Sequence, residues 1–172
     1  MDTTALYKLS YGLYVISVKD EANDRNAGFI IDAVAQISMG TEPTVIISVM
    51  NKNYCKDCID KEKVFNFCIL PEDIDPFVIG NFGYQTSKDV DKWANVQHSE
   101  KFGLPILEEA IACAQFKVID KRVMDTHTSF FCTPVEAENL NPEKSPLIYA
   151  DYFSKLKDKT FEAFKAFKAK QA

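Results

Sequence analysis

Cys55 and Cys58 lie two residues apart in the stretch Asn-Lys-Asn-Tyr-Cys-Lys-Asp-Cys-Ile-Asp at 51–60. This is the spacing used by zinc ribbons and by dithiol redox sites. A zinc site needs two more ligands at metal spacing, and Cys68, Cys113, Cys132, His98 and His127 supply no second pair. A dithiol site would draw on a helix N-terminus next to Cys55, which can lower a thiol's pKa. The third reading makes both cysteines bystanders and leaves the chemistry to Asn51, Lys52, Asn53 and Tyr54. Two other stretches carry reactive side chains: Asp-Thr-His-Thr-Ser-Phe-Phe around His127, and Phe-Gly-Tyr-Gln-Thr-Ser-Lys-Asp-Val-Asp-Lys-Trp from 82 to 93. Alone, a single histidine is more often structural than catalytic, and a Lys-Asp-Val-Asp-Lys run reads as a solvated helix face. No nucleophile–base triad or acid–base pair is visible.

The elements that must position these residues are mostly strands. Tyr11–Val18 is β-branched and aromatic, and the polar run Lys-Asp-Glu-Ala-Asn-Asp-Arg-Asn reads as its hairpin connection. Gly28–Ser38 is expected to return as a second strand, with Thr44–Val49, Val64–Leu70, Cys113–Met124, Ser129–Ala137 and Leu147–Ala150 to follow. Pro134 implies an edge or a bulge within its strand. Short helices are expected over Thr3–Leu9, Tyr54–Lys61 and Ile74–Phe82. Tyr152, Phe153, Leu156, Phe161, Phe164 and Phe167 form a stripe at helical spacing through Asp151–Lys170. The pattern is that of a mainly β protein, a small antiparallel barrel with a few peripheral helices.

Composition narrows the function. The 172 residues favour one domain with its own core, and 47% hydrophobic with 26% charged residues is ordinary for a globular protein. A net charge of −5 argues against nucleic-acid binding, which needs clustered Lys and Arg. No apolar run approaches the roughly 20 residues that span a bilayer. The N-terminal residues do not read as a signal peptide. Five irregularly spaced cysteines suggest free thiols in a reducing, cytoplasmic setting.

Taken in order, the run from Asn26 to Tyr54, then the 82–93 stretch, then Thr-His-Thr-Ser-Phe resemble the flavin reductase-like family of FMN-binding split barrels. The resemblance runs from about Ala5 to Tyr152. It implies a Greek-key antiparallel split β-barrel over 1–157, with a helical tail at 158–172. Asn26, Gly28, Gln36, Ser38 and Pro43 keep the family's turn–strand–strand pattern. Carried over, Ile31, Asp32, Ala33 and Val34 would lie against the isoalloxazine, with Gln36 and Ser38 supporting its polar edge. Asn51, Lys52, Asn53 and Tyr54 open a short helix, whose unpaired N–H groups and positive end suit the FMN phosphate. Cys55 stands where the family has a hydroxyl, so the cysteines are read as bystanders. Phe82, Gly83, Asp89, Asp91 and Lys92 match the third motif. Thr86 keeps a hydroxyl there, Ser87 replaces a glycine, and Lys92 would approach the phosphate or a partner subunit. His127, Thr128 and Phe130 match the fourth motif, which places the histidine at the nicotinamide side of the flavin as the catalytic candidate.

The function implied is an NAD(P)H-dependent oxidoreductase passing electrons through FMN to a flavin, ferric or protein acceptor, without a bound metal. The alternatives are a flavoredoxin-like electron carrier fed by a separate redox protein, and a barrel that has lost its flavin. The resemblance also implies a homodimer with the flavin at or near its interface. The stripe of Phe161, Phe164 and Phe167 is a candidate either for packing on the partner or for closing its own barrel.

Overall fold

The structure is a computed structural model that describes residues 1–171. Seven antiparallel strands form one sheet in the order β2-β1-β5-β8-β9-β4-β3. They are β1 (Tyr14–Asp20), β2 (Arg25–Ile31), β3 (Val34–Ser38), β4 (Thr44–Met50), β5 (Val64–Ile69), β8 (Ala112–Val123) and β9 (His127–Asn139). A hairpin of β6 (His98–Lys101) and β7 (Leu104–Leu107) stands apart from them. The two edge strands, β2 and β3, are consecutive in the chain and joined only by Asp32 and Ala33. Covalent continuity therefore brings the two edges together, and the sheet rolls into a barrel that stays split beyond that corner.

Strands β1 and β5 read as near-continuous apolar runs because both of their faces are covered. Along β1, Ile16 and Val18 point into a cluster with Phe29, Ile47, Phe65 and Phe130. Val15 points the other way, into a cluster with Leu70, Ile79, Phe82, Trp93 and Leu107. Helices α1 (Tyr54–Glu62) and α2 (Pro76–Gly83) each contribute to one of these layers.

Four details depart from or sharpen the sequence reading. The strand expected over Gly28–Ser38 breaks at Asp32, where the Val34 N–H donates to the Asp32 carbonyl at 2.9 Å. Ile31 pairs with Tyr14, whereas Val34 pairs with Ile47 at the far end of the sheet. The last expected strand is reduced to Leu147, held between the Leu13 N–H and the Leu70 carbonyl, before the chain turns helical at Tyr149. The β6–β7 hairpin was not foreseen: its first strand is polar and its second holds Pro105. Its turn uses positive φ at Phe102 (53°) and Gly103 (76°). Pro134 does sit beside a bulge, where β9 skips a residue opposite Gln115 and Phe116. β4 pairs with β9 only as far as Cys132, so the missing N–H of Pro134 costs no bond on that side.

The tail is helical as its stripe suggests: α3 (Tyr149–Asp151), a π-turn (Tyr152–Leu156) and α4 (Lys157–Gln171). Phe167 packs on Phe77 with ring centroids 4.7 Å apart, and Phe164 on Tyr84 at 5.6 Å. Gly80 is required there, since a Cβ would come within 2.9 Å of Phe164. The tail thus covers its own α2, while Phe161 stays 57% exposed. Among the described residues, no helix is long and apolar enough to cross a membrane.

Candidate functional site

Helix α1 begins at Asn53, whose side-chain oxygen accepts the Cys55 N–H at 3.0 Å, an ordinary N-cap. Its buried face is Cys55, Cys58 and Ile59, an i, i+3, i+4 stripe turned into the barrel. The cysteine spacing is therefore that of a helical core face. Burial pushes the Cys55 thiol up to about 12 and the Cys58 thiol up to about 11. Desolvation is the largest cause for both, the opposite of the lowered pKa that an activated dithiol at this helix start would draw on.

The opposing wall is the segment after α2, pinned to β2 by side chains. Ser87 Oγ donates to the Gly28 carbonyl at 2.7 Å and accepts the Gly28 N–H at 3.0 Å. Arg25 donates to the carbonyls of Ser87 and Lys88, and the Trp93 indole N–H donates to the Ala27 carbonyl. Gly28 must lack a side chain, because a Cβ would lie 2.7 Å from the Phe82 ring and 2.9 Å from the Trp93 indole nitrogen. The Lys-Asp-Val-Asp-Lys run is not a uniformly solvated face. Lys92 is 2% exposed, its carbonyl accepts from Asn81, and its ammonium donates to the Phe82 carbonyl at 2.9 Å.

Between these walls lies a cleft of about 440 Å³. Lys52, Asn53 and Tyr54 line one side, and Tyr84, Thr86, Ser87 and Lys92 line the other, with Ile30 and Phe82 adding apolar surface. Tyr54 is held by donating to buried Asp20 at 2.8 Å, and that carboxylate raises its pKa to about 12. Desolvation lowers the Lys92 pKa to about 8, with Cys55 opposing the fall. Lys92 forms no ion pair with any carboxylate among the described residues. A buried ammonium with one carbonyl partner, facing a cleft, is suited to an anion.

A second hollow of about 250 Å³ shares Ile30, Gly83 and Tyr84 with the cleft and continues to Ile31, Asp32, Tyr149 and Tyr152. The strand-end residues and the helix-start residues of the sequence reading thus line adjoining spaces. Ala33 and Val34 complete the corner: the Ala33 carbonyl accepts the Ser48 N–H, and Val34 packs on the core.

Other expected residues have other partners. The Asn51 amide is engaged with the β8–β9 turn, donating to Met124 and Asp125 and accepting from Thr128. Gln36 donates to the Ser38 carbonyl, and Ser38 Oγ accepts the Thr44 N–H, on an exposed hairpin. Thr86 Oγ1 accepts the Lys88 N–H at the cleft rim. His127 lines neither space. It sits across from Met50 in the β4–β9 ladder, with Nδ1 2.8 Å from Thr126 Oγ1. Sequence reasoning missed Tyr84, Gln85 and Ser87 as lining residues, although they lie inside the quoted motif.

A family model described as "Flavin reductase like domain" matches residues 6–156. A ferric-chelate reductase (NAD(P)H) of Archaeoglobus fulgidus is 33% identical over 163 residues, covering 93% of this chain and 94% of that one. A high molecular weight rubredoxin of Moorella thermoacetica is 30% identical over 154 residues, covering 88% of this chain and 66% of that longer protein. The solved structure of the flavin reductase PheA2 in its native state superposes with a TM-score of 0.71 at 26% identity, covering 86% of this chain and 93% of that one.

Proposed function

The chain belongs to the flavin reductase-like family, and from that premise we propose that FMN is the flavin it holds, with the phosphate against Lys92 and the ring toward Ile31–Val34. Its activity is that of an NAD(P)H-dependent flavin oxidoreductase. The observation that carries the FMN reading is Lys92, whose ammonium is buried against the cleft without a carboxylate. A phosphate would supply the charge partner that the described residues do not. Lys52 at the rim and the start of α1 add positive potential on the facing wall. The corner at Asp32–Ala33 leaves backbone at the meeting of the two sheet edges, where a flat ring can approach without large side chains.

When bound, FMN supplies two-electron acceptance from NAD(P)H and onward delivery of those electrons. The chain's own residues bind and orient it. Lys92 neutralises the phosphate, Ser87 fixes the wall that carries Lys92, and Tyr84 with Ile30 separates the phosphate end from the ring end. Titration with FMN and with riboflavin, followed by flavin fluorescence, tests the placement. FMN should bind far more tightly, and equal affinities would remove the phosphate from the cleft.

The homodimer belongs to the same proposal. Ile37, Met39, Met50, Ile119, Val123 and Met124 are all more than 40% exposed on β3, β4 and the β8–β9 hairpin and their flanks, apolar side chains that a second copy would cover. His127 lies beside Met50, so its expected place at the nicotinamide side requires a second copy closing over it. Light scattering at about twice 19.5 kDa supports this; a monomer that binds FMN fully excludes it. The five free thiols fit a reducing, cytoplasmic setting.

A further inference from the structure

Cys68 on β5 and Cys113 on β8 face each other directly across the sheet. Hydrogen-bond parity fixes what kind of pair they make. The Leu70 N–H donates to the Leu13 carbonyl, so even-numbered residues of β5 direct their backbone groups toward β1. The Val118 N–H donates to the Lys63 carbonyl, so odd-numbered residues near β5 serve β8. On the other side, the Leu140 N–H donates to the Ile111 carbonyl, which directs Cys113 toward β9. Cys68 and Cys113 therefore form a non-hydrogen-bonded pair, the closer of the two antiparallel arrangements, with Cα atoms about 4.5 Å apart. That lies within the span a disulfide can bridge, roughly 4.4–6.8 Å between Cα atoms.

Both side chains enter the same apolar cluster, at 1% and 2% exposure, and both are free thiols. No other two of the five cysteines are cross-strand partners, and Cys55 and Cys58 sit a helical turn apart. The position in the topology is also particular. β5–β8 is the seam between the half-sheet β2-β1-β5 and the half-sheet β8-β9-β4-β3, and the cleft is lined from both halves, by Phe29 and Ile30 of β2 and Met50 of β4.

We propose that Cys68 and Cys113 are a latent disulfide couple that a hydroperoxide closes, cross-linking the two halves of the barrel. Cys113 is the sulfur that reacts first, since it pairs across the ladder with Glu138, which holds Lys101 in an ion pair at the rim, whereas Cys68 is enclosed against the Leu107 N–H. The Cys113 thiol loses its proton and its sulfur attacks one peroxide oxygen. The O–O bond breaks, giving a sulfenic acid and, with the released proton, one water. The Cys68 sulfur then attacks the sulfenic sulfur, the S–S bond forms, and a second water leaves. Two thiols are oxidised and one peroxide is reduced. Burial holds both thiols up, Cys68 to about 12, so closure is slow at neutral pH and faster in alkaline buffer. The source of the oxidant rests on the flavin reading, because reduced flavin meeting dioxygen yields hydrogen peroxide; the couple itself does not.

The experiment is peroxide treatment of the full chain, followed by thiol counting in denaturant and mass spectrometry of a non-reduced digest. Added hydrogen peroxide should lower the titre from five thiols to three, with the Cys68 and Cys113 peptides joined and a thiol reductant restoring five. Cys68→Ser should leave Cys113 as a sulfenic acid trapped by a dimedone reagent. Sulfinic acid at Cys113 with no linked peptide, or linkage of Cys55 to Cys58 instead, overturns the proposal. A second arm uses aerobic turnover with NADH and FMN, with and without catalase. Linkage in this arm that catalase prevents supports both the couple and the flavin source. Linkage by added peroxide alone supports the couple and counts against the source.

Discussion

Replacing Lys92 by methionine should weaken FMN and at the same time stabilise the flavin-free protein. Lys92 is 2% exposed, and burial lowers its pKa from 10.5 to about 8. The sign follows from linkage. A lysine whose folded pKa is depressed costs stability fully at pH below the folded value, and that cost fades as pH rises from about 8 toward 10.5. At neutral pH the penalty is on the order of 3 kcal/mol at most. Methionine keeps the length of the side chain without the charge, at the loss of one charge-assisted bond to the Phe82 carbonyl worth about 1.5–3 kcal/mol. The net expected gain for the free protein is at most about 1.5 kcal/mol, a rise of at most a few degrees in Tm for a chain of this size. For ligand, a charge-assisted bond to phosphate is worth about 1.5–3 kcal/mol, so FMN affinity should fall roughly 10- to 150-fold. Riboflavin, which has no phosphate, should bind the variant as it binds the parent. The parent's FMN affinity should also decline above about pH 8, as the free protein's Lys92 loses its proton, and the variant should lose that dependence. Differential scanning fluorimetry without ligand and fluorescence titration with both flavins read all three effects. An equal loss for FMN and riboflavin, or a less stable free protein, would refute the reasoning.

Lys52→Ala should cost FMN much less than the Lys92 change, below about 1 kcal/mol, because Lys52 is an exposed charge at the rim; the same titration checks it. Ser87→Gly removes both bonds to Gly28 and should destabilise the fold by about 1–3 kcal/mol in urea unfolding, with weaker FMN binding in proportion. Gly80→Ala forces a methyl against Phe164 and the Thr160 carbonyl, so α4 should loosen from α2 at a cost of about 1–3 kcal/mol, visible as faster amide exchange in the tail. Deleting Asp158–Ala172 should leave the dimer intact by light scattering, since Phe164 and Phe167 cover the chain's own α2.

Strand content was legible because β1, β2, β4, β5 and the inner parts of β8 and β9 are apolar runs bounded by polar turns, and the helical stripe of the tail was legible for the same kind of reason. The break at Asp32 was not. Nothing in Gly28–Ser38 interrupts the apolar run, and the division comes from Ile31 and Val34 pairing with strands at opposite ends of the sheet. The β6–β7 hairpin was hidden by Pro105 and by the polar His98–Lys101. Of the site residues read from the sequence, Lys52, Asn53, Tyr54, Thr86 and Lys92 line the cleft, and the proposed placement of the phosphate shifts weight among them. Lys52 looked like the main phosphate contact because it sits in the motif, whereas burial makes Lys92 the charge that needs a partner. Ser87, which replaces the family's glycine, joins the loop to Gly28 at both the N–H and the carbonyl. Asn51 was read as a ligand donor, yet its amide closes the β8–β9 turn; such long-range partners leave no local trace in sequence.

The central claim is that this chain reduces a flavin bound in the Lys92 cleft at the expense of a nicotinamide nucleotide. Anaerobic mixing of the FMN-loaded protein with NADH or NADPH, followed at the visible flavin bands, tests it most directly. Bleaching by at least one nucleotide, slowed in the Lys92→Met protein at subsaturating FMN, is the predicted result. A bound flavin that neither nucleotide bleaches, but that dithionite reduces at once, would contradict the account and leave an electron carrier fed by another protein.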